Sequence, residues 1–352
     1  YIMEDVLERT LRYVGYDVKR VMNITDIGHL SDDADSGEDK MLLGAKREHK
    51  SVKELAAFYT DAFFKDCAAL NIRRRNDFAL WFTKSRFEDQ ALKWESPWGV
   101  GYPGWHIECS CIAMKYLGEY VDLHCGGIDN VFPHHTNEIA QSEAYLGHAW
   151  CGHWFHVLHL NTAKGKMSKS AGGFLTLKKL EEEGHSAMEY RFFCLLSHYR
   201  NSLVYSEDTF ENAANAYRKL RSRALALPAE GEVDAEGFAR YKKAFTDAMD
   251  ADLNTSLAVT CVYDVLKAKD IGGATKRALL SDFDRVLGLD LLKAEESKSD
   301  GISDAEVEAL IARRAAAKKE KNYAEADRIR AELAAAGIVL ADSPAGTTFT
   351  RK

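Results

Sequence analysis

The sequence predicts an α/β domain with a parallel sheet, followed by an all-α helical bundle and a small C-terminal region. Helices alternate with short apolar strands in the first part of the chain, and that order builds parallel sheets. From Ser186 onward the pattern is almost wholly helical. Two late helices, Ala305 to Lys318 and Tyr323 to Ala336, precede a short tail rich in Gly, Pro and Thr.

The first elements support this fold class. Helical periodicity from Tyr1 to Val14 stops at Gly15, and Val18 to Ile24 is typical of a short buried strand. A second helix is predicted from Ser51 to Leu70 and a further strand from Phe78 to Phe82.

The pattern then repeats with clear stop signals. A helix from Trp105 to Tyr116 ends before Gly118, and Val121 to His124 is predicted as a strand. The next helix, Pro133 to Leu146, begins with proline and ends before Gly147. These elements complete the predicted α/β layer.

Composition narrows the class of protein. The 352 residues carry a formal net charge of −7, which argues against a general polyanion binder. The first residues lack the pattern of a signal peptide, and no apolar run approaches the roughly 18 residues of a membrane span. The seven cysteines include no CxxC pair and no dense disulfide spacing. We therefore expect a cytoplasmic protein with reduced cysteines.

A lysine-rich motif gives the sharpest local signal. Lys166-Met167-Ser168-Lys169-Ser170 lies in a polar stretch between Gly165 and Gly172. Two ammonium groups and two hydroxyls on such a loop can follow a triphosphate as charge builds on its oxygens. Taken alone, a short Lys/Ser motif of this kind is more often a solvated basic surface loop.

Cys109, His134 and Glu138 form a candidate zinc site. His134 and Glu138 are four residues apart on a predicted helix and project from one face. Thiolate, imidazole and carboxylate are all zinc ligands, and three protein ligands with one open position are typical of a catalytic site. The alternative is a buried cysteine beside histidines that line a core.

A glycine pair suggests a nucleotide contact. Gly126-Gly127-Ile128-Asp129 is expected directly after the strand that ends at His124. Glycines there let a nucleotide approach, and a carboxylate can accept hydrogen bonds from ribose hydroxyls. The signal is weak alone, because Gly-Gly turns are common.

Taken together, these stretches resemble the cysteinyl-tRNA synthetases, which are class I synthetases with a Rossmann-type catalytic domain. The order of the motifs is right and they span most of the chain. They are Asn23 to Asp26, Trp94 to Gly99, Gly104 to Ser110, Phe132 to His135, Asn137 to Ser142, the lysine motif, Ser197 to Arg200, Tyr205 to Glu207, Ala326 to Arg330, and Gly346 to Thr348.

The resemblance implies roles for the catalytic residues. Cys109, His134 and Glu138 would be zinc ligands, and Trp105 would form a wall of the cysteine pocket. ATP, with magnesium, would be the second substrate. Its phosphates would be held by Lys166 and above all Lys169, and Asp129, with Gly126 and Gly127, would lie near the ribose.

The resemblance also implies the partners L-cysteine, ATP and tRNA(Cys), and a monomeric enzyme. The C-terminal region would read the anticodon. Tyr323 and Asp327 are four residues apart, so a base could stack on the ring while the carboxylate accepts from a base edge. Asp342 and Phe349 could complete that surface. Tyr323 could equally be a helix-packing residue, and Asp327 an ordinary solvated charge.

Three domains are expected: the Rossmann-type catalytic domain over 1–205, the helical bundle over 206–295, and the anticodon region over 296–352. Two features of the family are missing from this sequence, namely a His-Ile-Gly-His signature and a fourth zinc ligand, a cysteine. The family's connective insertion is missing too, because few residues separate Ile72 from Phe78. We expect that the polypeptide has further residues before Tyr1 and at the join near 72–75; the alternative is a genuinely shortened protein.

Two alternatives remain open. A related ATP-dependent ligase would join cysteine to an amino sugar by the same activation chemistry. A non-catalytic zinc-binding or RNA-binding descendant would keep the fold without the activity. Cysteine-dependent pyrophosphate exchange and a tRNA charging assay distinguish them.

Overall fold

A computed structural model describes residues 1–23, 48, 52–73, 94–96, 99–101, 105–162, 165–166, 175–294, 304–319, 322–343 and 346–351. The chain forms two compact units, Tyr1–Lys293 and Ala294–Lys352. The predicted strand from Phe78 to Phe82 lies outside the described residues.

The first unit is an α/β structure in which helices predominate. Its helices are Ile2–Tyr13, Val52–Ala69, Trp105–Leu117, Thr136–Leu146, Leu177–Glu182, Ala187–Leu195, Glu207–Leu225, Ala235–Asp250, Thr255–Lys267 and Gly273–Leu287. Its strands are β1 (Trp94–Ser96), β2 (Gly99–Gly101), β3 (Val121–Gly127), β4 (Cys151–Val157), β5 (Leu160–Thr162), β6 (Gly165–Lys166) and β7 (Leu203–Tyr205). The predicted α/β class is confirmed.

Parallel pairing is present in two sheets. Strands β3 and β4 run parallel, with His124 opposite Trp154 and Gly126 opposite His156. Strand β5 pairs in parallel with β7 and antiparallel with β6, which forms the edge of a three-stranded sheet. Strands β1 and β2 form a short antiparallel pair.

The strand predicted over Val18 to Ile24 is wrong for its described part. Residues up to Asn23 have no strand pairing. Instead, Arg12 of the first helix donates to the carbonyl of Val18, and Arg20 lies 2.9 Å from Glu4. A strand needs a hydrogen-bonded neighbour, and an apolar run alone does not provide one.

The helix predicted from Pro133 also begins later than expected. A 3₁₀ turn, Ile128–Asn130, and a π-type turn, Val131–His135, precede the helix that starts at Thr136. Its end is as predicted, because Gly147 adopts φ 75° in the left-handed region that favours glycine. His134 therefore lies just before the helix and Glu138 in its first turn.

The helices after β7 pack around a continuous apolar core. Phe210, Phe245 and Phe283 are almost completely buried, and the rings of Phe245 and Phe283 stack with centroids 4.1 Å apart. Helix Ile2–Tyr13 contributes Val6 to the same core. The first helix and the helical bundle are thus held together by shared packing.

A buried ion-pair network crosses this core. Arg191 is fully buried, and its Nη2 lies 2.7 Å from Oδ2 of Asp5. Its Nε donates to the carbonyl of Leu287 and its Nη1 to that of Leu70, at 2.8 and 3.0 Å. Arg9 also pairs with Asp5 at 2.7 Å. Burial raises the pKa of Asp5, but the two guanidinium groups outweigh it and lower the pKa overall.

The second unit contains a helix pair and a hairpin. Helices Asp304–Lys319 and Tyr323–Ala335 confirm the two late helices. The tail is not irregular, because β8 (Ile338–Ser343) and β9 (Gly346–Arg351) form an antiparallel pair. A small core of Val307, Ile329, Leu333 and Ile338 supports it.

Among the helices that the structure describes, none combines the length and apolarity needed to cross a bilayer.

Candidate active site

The candidate site lies where β3 and β4 end. Ligand sites of open α/β sheets form beyond the carboxyl ends of parallel strands. After β3, the turns over residues 128–135 lead the chain into the helix Thr136–Leu146. The helix Trp105–Leu117 packs against both this helix and β3. Side chains from four separate elements therefore meet at one end of the sheet.

The three residues predicted as zinc ligands come together. The ligand atoms of Cys109, His134 and Glu138 all lie within 4.8 Å of one another. Nε2 of His134 is 2.6 Å from Oε1 of Glu138. That oxygen is buried, and the geometry of its close contact with His134 is not that of a hydrogen bond. A buried carboxylate oxygen without a hydrogen bond is costly, and a cation at this point would satisfy it.

Two histidines that the sequence reasoning missed complete a second group around Glu138. Ligand atoms of His124, His135 and Glu138 also lie within 4.8 Å of one another. Nε2 of His124 is 2.7 Å from Oε2 of Glu138. Nδ1 of His135 is 2.8 Å from Nε2 of His156 on β4. One signal in the sequence could have pointed to His124. Strand alternation places it on the same face of β3 as Gly126, which was already a candidate site residue.

Aromatic rings enclose these polar groups. Trp105 stacks on His134, with ring centroids 4.1 Å apart and an interplanar angle of 23°. Nδ1 of His106 lies 2.8 Å from Nδ1 of His134. On the other side, Trp154 packs against His124 and His135 at 5.0 and 4.8 Å. Trp105 therefore borders the predicted ligand group, which is where a wall of the cysteine pocket would have to be.

The charges in this pocket are set by burial and by close pairs. Burial raises the pKa of Glu138, but the facing ring nitrogens of His124 and His134 outweigh it and lower the pKa to about 2. Burial, with the carboxylates of Glu138 and Glu108, raises the pKa of the Cys109 thiol. A thiol in such surroundings needs a cation to become a thiolate, and a bound divalent metal provides one. The donor set therefore fits zinc.

The glycine pair has a different position from the one predicted. Gly126 and Gly127 lie inside β3, which extends three residues beyond the predicted end at His124. A Cβ added at Gly126 would lie 2.7 Å from Cε1 of His135, and one at Gly127 would lie 2.5 Å from Oδ1 of Asp129. Among the described residues, the space beside the two glycines is thus taken by the side chains of His135 and Asp129, whereas the sequence predicted that a nucleotide would approach there.

Asp129 lies beside the pocket with part of its carboxylate accessible. Its side chain is 53% exposed, and its Oδ1 is 3.7 Å from Nε2 of His159. The backbone of Lys166 lies in β6, at the edge of the three-stranded sheet. The side chain of Lys166 and the whole of Lys169 lie outside the described residues.

The predicted anticodon residues all lie in the second unit. The side chains of Tyr323 and Asp327 are exposed on the helix Tyr323–Ala335, so Tyr323 does not pack in a core. Phe349 on β9 is partly buried against the small core, so its ring serves packing at least in part. The backbone of Asp342 lies in β8, opposite Thr347, and its side chain lies outside the described residues.

Comparison with protein families agrees with this arrangement. The family described as "tRNA synthetases class I (C) catalytic domain" matches residues 1–76 and 72–215. The family described as "Cysteinyl-tRNA ligase anticodon binding domain" matches residues 302–349. The parallel sheet and the first match place the chain among the class I aminoacyl-tRNA synthetases.

Individual relatives narrow the class. The chain is 39% identical to a cysteine–tRNA ligase of Treponema denticola, with 100% of this chain and 91% of that protein covered. It is 35% identical to a cysteine–tRNA ligase of Brevibacillus brevis, with 100% and 90% covered. The chain belongs to the cysteine–tRNA ligase family, which confirms the resemblance seen in the motifs.

The same comparisons bear on the expected join. The catalytic-domain match breaks at residues 72–76, where the connective insertion of the family is expected. The alignment with the Treponema protein extends over 448 positions, 96 more than the 352 residues of this chain. These findings support a missing internal segment near 72–75, which stays a prediction. The domain boundaries at 205 and 295 also stay predictions.

Proposed function

We propose that this enzyme activates L-cysteine with ATP and transfers it to tRNA(Cys), with zinc in the cysteine pocket. A carboxylate oxygen of cysteine attacks the α-phosphorus of ATP, the bond to pyrophosphate breaks, and cysteinyl-adenylate forms. A ribose hydroxyl at the tRNA terminus then attacks the acyl carbon and releases AMP. The observation that supports this most directly is that the ligand atoms of Cys109, His134 and Glu138 lie within 4.8 Å of one another, with His134 and Glu138 buried.

Cys109, His134 and Glu138 would hold the metal. A zinc ion held there would supply a Lewis acid that binds a substrate thiolate in preference to a serine hydroxyl, which is a harder and far less acidic ligand. His124 and Trp105 would not bind the metal themselves but would orient the residues that do. His124 fixes the second oxygen of Glu138 at 2.7 Å, and Trp105 holds the ring of His134 by stacking. Such outer contacts orient the ligating groups.

The ATP phosphates would be held by the lysine motif. Lys166 opens the motif at the end of β6, and Lys169 follows three residues later. Adenylate formation depends mainly on positioning and on stabilising charge at the phosphates, so no general base is required. The accessible carboxylate of Asp129, supported by the turn after Gly127, suits the ribose hydroxyls. Magnesium would accompany ATP.

We expect Lys169→Ala to slow pyrophosphate exchange by on the order of a hundredfold, about 3 kcal/mol, since one positioned donor on the developing charge is lost. The Michaelis constant for cysteine should change little, because the lysine is expected to act on charge that develops at the ATP phosphates. Initial exchange rates over a range of cysteine concentrations measure both quantities. An unchanged exchange rate would remove Lys169 from the site.

We infer that the second unit reads the anticodon. The family match over residues 302–349 carries that description, and the unit presents the exposed pair Tyr323 and Asp327. This match also favours tRNA over an amino sugar as the acceptor. The cytoplasmic location and the monomeric state stay predictions.

Asp327→Ala is expected to reduce tRNA charging by about tenfold, or about 1.4 kcal/mol, while cysteine-dependent pyrophosphate exchange stays intact. The carboxylate lies in the second unit, so its loss should weaken only the step that uses tRNA. Glu308→Ala, which removes another exposed carboxylate of the same unit, is the matched control. Equal losses of charging in both variants would show that net charge, rather than Asp327, affects tRNA binding.

The deciding experiment measures three activities of the wild-type protein. Cysteine-dependent pyrophosphate exchange, rejection of serine in the same assay, and charging of tRNA(Cys) are all expected. Exchange without charging, accompanied by transfer to an amino sugar, would favour the related ligase. Zinc or RNA binding without exchange would indicate a non-catalytic descendant.

A further inference from the structure

A strained turn joins two helices of the bundle. Between Ala235–Asp250 and Thr255–Lys267, the consecutive residues Asp252 and Leu253 have φ angles of 59° and 53°. Residues with side chains rarely adopt this left-handed region, and leucine even less often than aspartate. Such conformations persist only where their surroundings hold them, and they are concentrated at functional positions. The contacts of the turn therefore matter.

Asp252 uses this conformation to hold the segment Ser197–Arg200. Its Oδ1 accepts from the hydroxyl of Tyr199 and its Oδ2 from Nε of Arg200, both at 2.6 Å. Its backbone carbonyl lies 2.9 Å from Nε2 of His198. Burial and the hydrogen bond with Asp252 raise the pKa of Tyr199 to about 12, so the phenol remains a donor at neutral pH. Hydrogen bonds to an ionised carboxylate are among the stronger ones.

Tyr199 connects Asp252 to strand β4 of the candidate site. The tyrosine is buried, and its ring lies 4.5 Å from that of Phe155. Phe155 stands in β4 between Trp154 and His156, the two residues that face the histidine group. The carbonyl of Tyr199 also accepts from the backbone N–H of Leu158, just after β4, at 3.0 Å.

The same segment leads to the lysine motif. Directly after it, β7 pairs in parallel with β5, and β5 pairs with β6, where Lys166 opens the motif. The turn at Asp252 thus restrains β4, which carries residues of the histidine group, and the sheet of β5, β6 and β7, in which the lysine motif begins. A further contact near the turn reaches the same segment, because the hydroxyl of Thr255 donates to the carbonyl of Ser197 at 3.4 Å.

We propose that Asp252 is a positioning residue for adenylate formation, acting through Tyr199 and the strands β4, β5 and β6. This inference rests on the proposed function and assigns a role to a residue of the helical bundle that is not among the predicted site residues. Its physical basis is that a displacement of about 1 Å between reacting groups can cost up to about a hundredfold in rate. Losing one of several restraints on the strands should cost less.

The test variant is Asp252→Asn, because asparagine tolerates the left-handed region and matches the shape of aspartate, whereas its neutral amide has one acceptor oxygen and cannot replace both carboxylate oxygens that accept from Tyr199 and Arg200. We expect kcat for cysteine-dependent pyrophosphate exchange to fall by about tenfold. The KM for cysteine and the zinc content should stay within about twofold, since the variant leaves the pocket residues in place.

The chain offers a closely matched control. Asp270 accepts from the hydroxyl of Tyr241 at 3.0 Å and pairs with Arg240, so it has the same two partner types in the same helical bundle. It lies on an exposed loop and contacts none of the strands through these partners. Asp270→Asn should therefore leave exchange unchanged.

A double-mutant cycle gives a second reading. Tyr199→Phe removes the other side of the 2.6 Å hydrogen bond, so the double variant Tyr199→Phe/Asp252→Asn should be no slower than about the slower single variant. Full kcat in Asp252→Asn, or an equal fall in Asp270→Asn, would overturn the proposal. Strictly multiplicative losses in the cycle would overturn it as well. Absence of exchange in the wild type would instead contradict the proposed function itself, so the two failures are distinguishable.

Discussion

Replacement of Cys109 by alanine is expected to abolish stoichiometric zinc binding and nearly all cysteine activation. Loss of contacts that merely support metal ligands already costs about ten- to a hundredfold in affinity or activity, so loss of a ligand should exceed a hundredfold. The ligand atoms of Cys109, His134 and Glu138 lie within 4.8 Å of one another, so the substitution removes one of the three groups that would hold the ion. Elemental analysis of freshly purified protein measures the zinc directly.

Cys111 provides the control for this substitution. It lies two residues further along the same helix, is partly buried, and belongs to neither ligand group. Cys111→Ala should keep both zinc and exchange activity. Unchanged zinc in Cys109→Ala, or absence of zinc from the wild type, would rule out the proposed site. The reading of zinc content is independent of activity, so a misplaced substrate alone cannot imitate the result.

Arg191→Ala is expected to destabilise the first unit by about 3 kcal/mol. Among the described residues, the substitution leaves the buried carboxylate of Asp5 with Arg9 as its ion-pair partner, and it removes the donors to the carbonyls of Leu70 and Leu287. Buried acceptors that lose their donors cost about 1–3 kcal/mol each, so Arg9 compensates only in part. All six tryptophans lie between residues 81 and 154, so urea unfolding followed by tryptophan fluorescence reports on this unit.

An exposed arginine provides the control for the Arg191→Ala experiment. Arg240 pairs with Asp270 in the same unit, but its side chain is 60% exposed. Exposed ion pairs contribute about 0–1 kcal/mol, so Arg240→Ala should shift the urea midpoint only slightly. Similar shifts for the two variants, at an unchanged slope, would contradict a major stabilising role for the buried network.

Local signals in the sequence predicted most helices and the parallel sheet. Glycines such as Gly147 end helices where the left-handed conformation is needed, and the two late helices follow from their periodicity. The predicted strand at Val18 is wrong because pairing depends on a distant partner. The hairpin of β8 and β9 was missed because its residues look like a turn-rich tail, although they pair along their whole length.

By itself, the sequence determined the family and the α/β class, and it singled out Cys109, His134 and Glu138 as candidate ligands, since these inferences depend on motifs. Only the tertiary structure decided that His124 and His135 also surround Glu138 and that Asp252 holds Tyr199. These groups come from elements far apart in sequence. Strand register and helix packing bring them together, and both depend on the sum of many weak long-range contacts that no short stretch of sequence encodes.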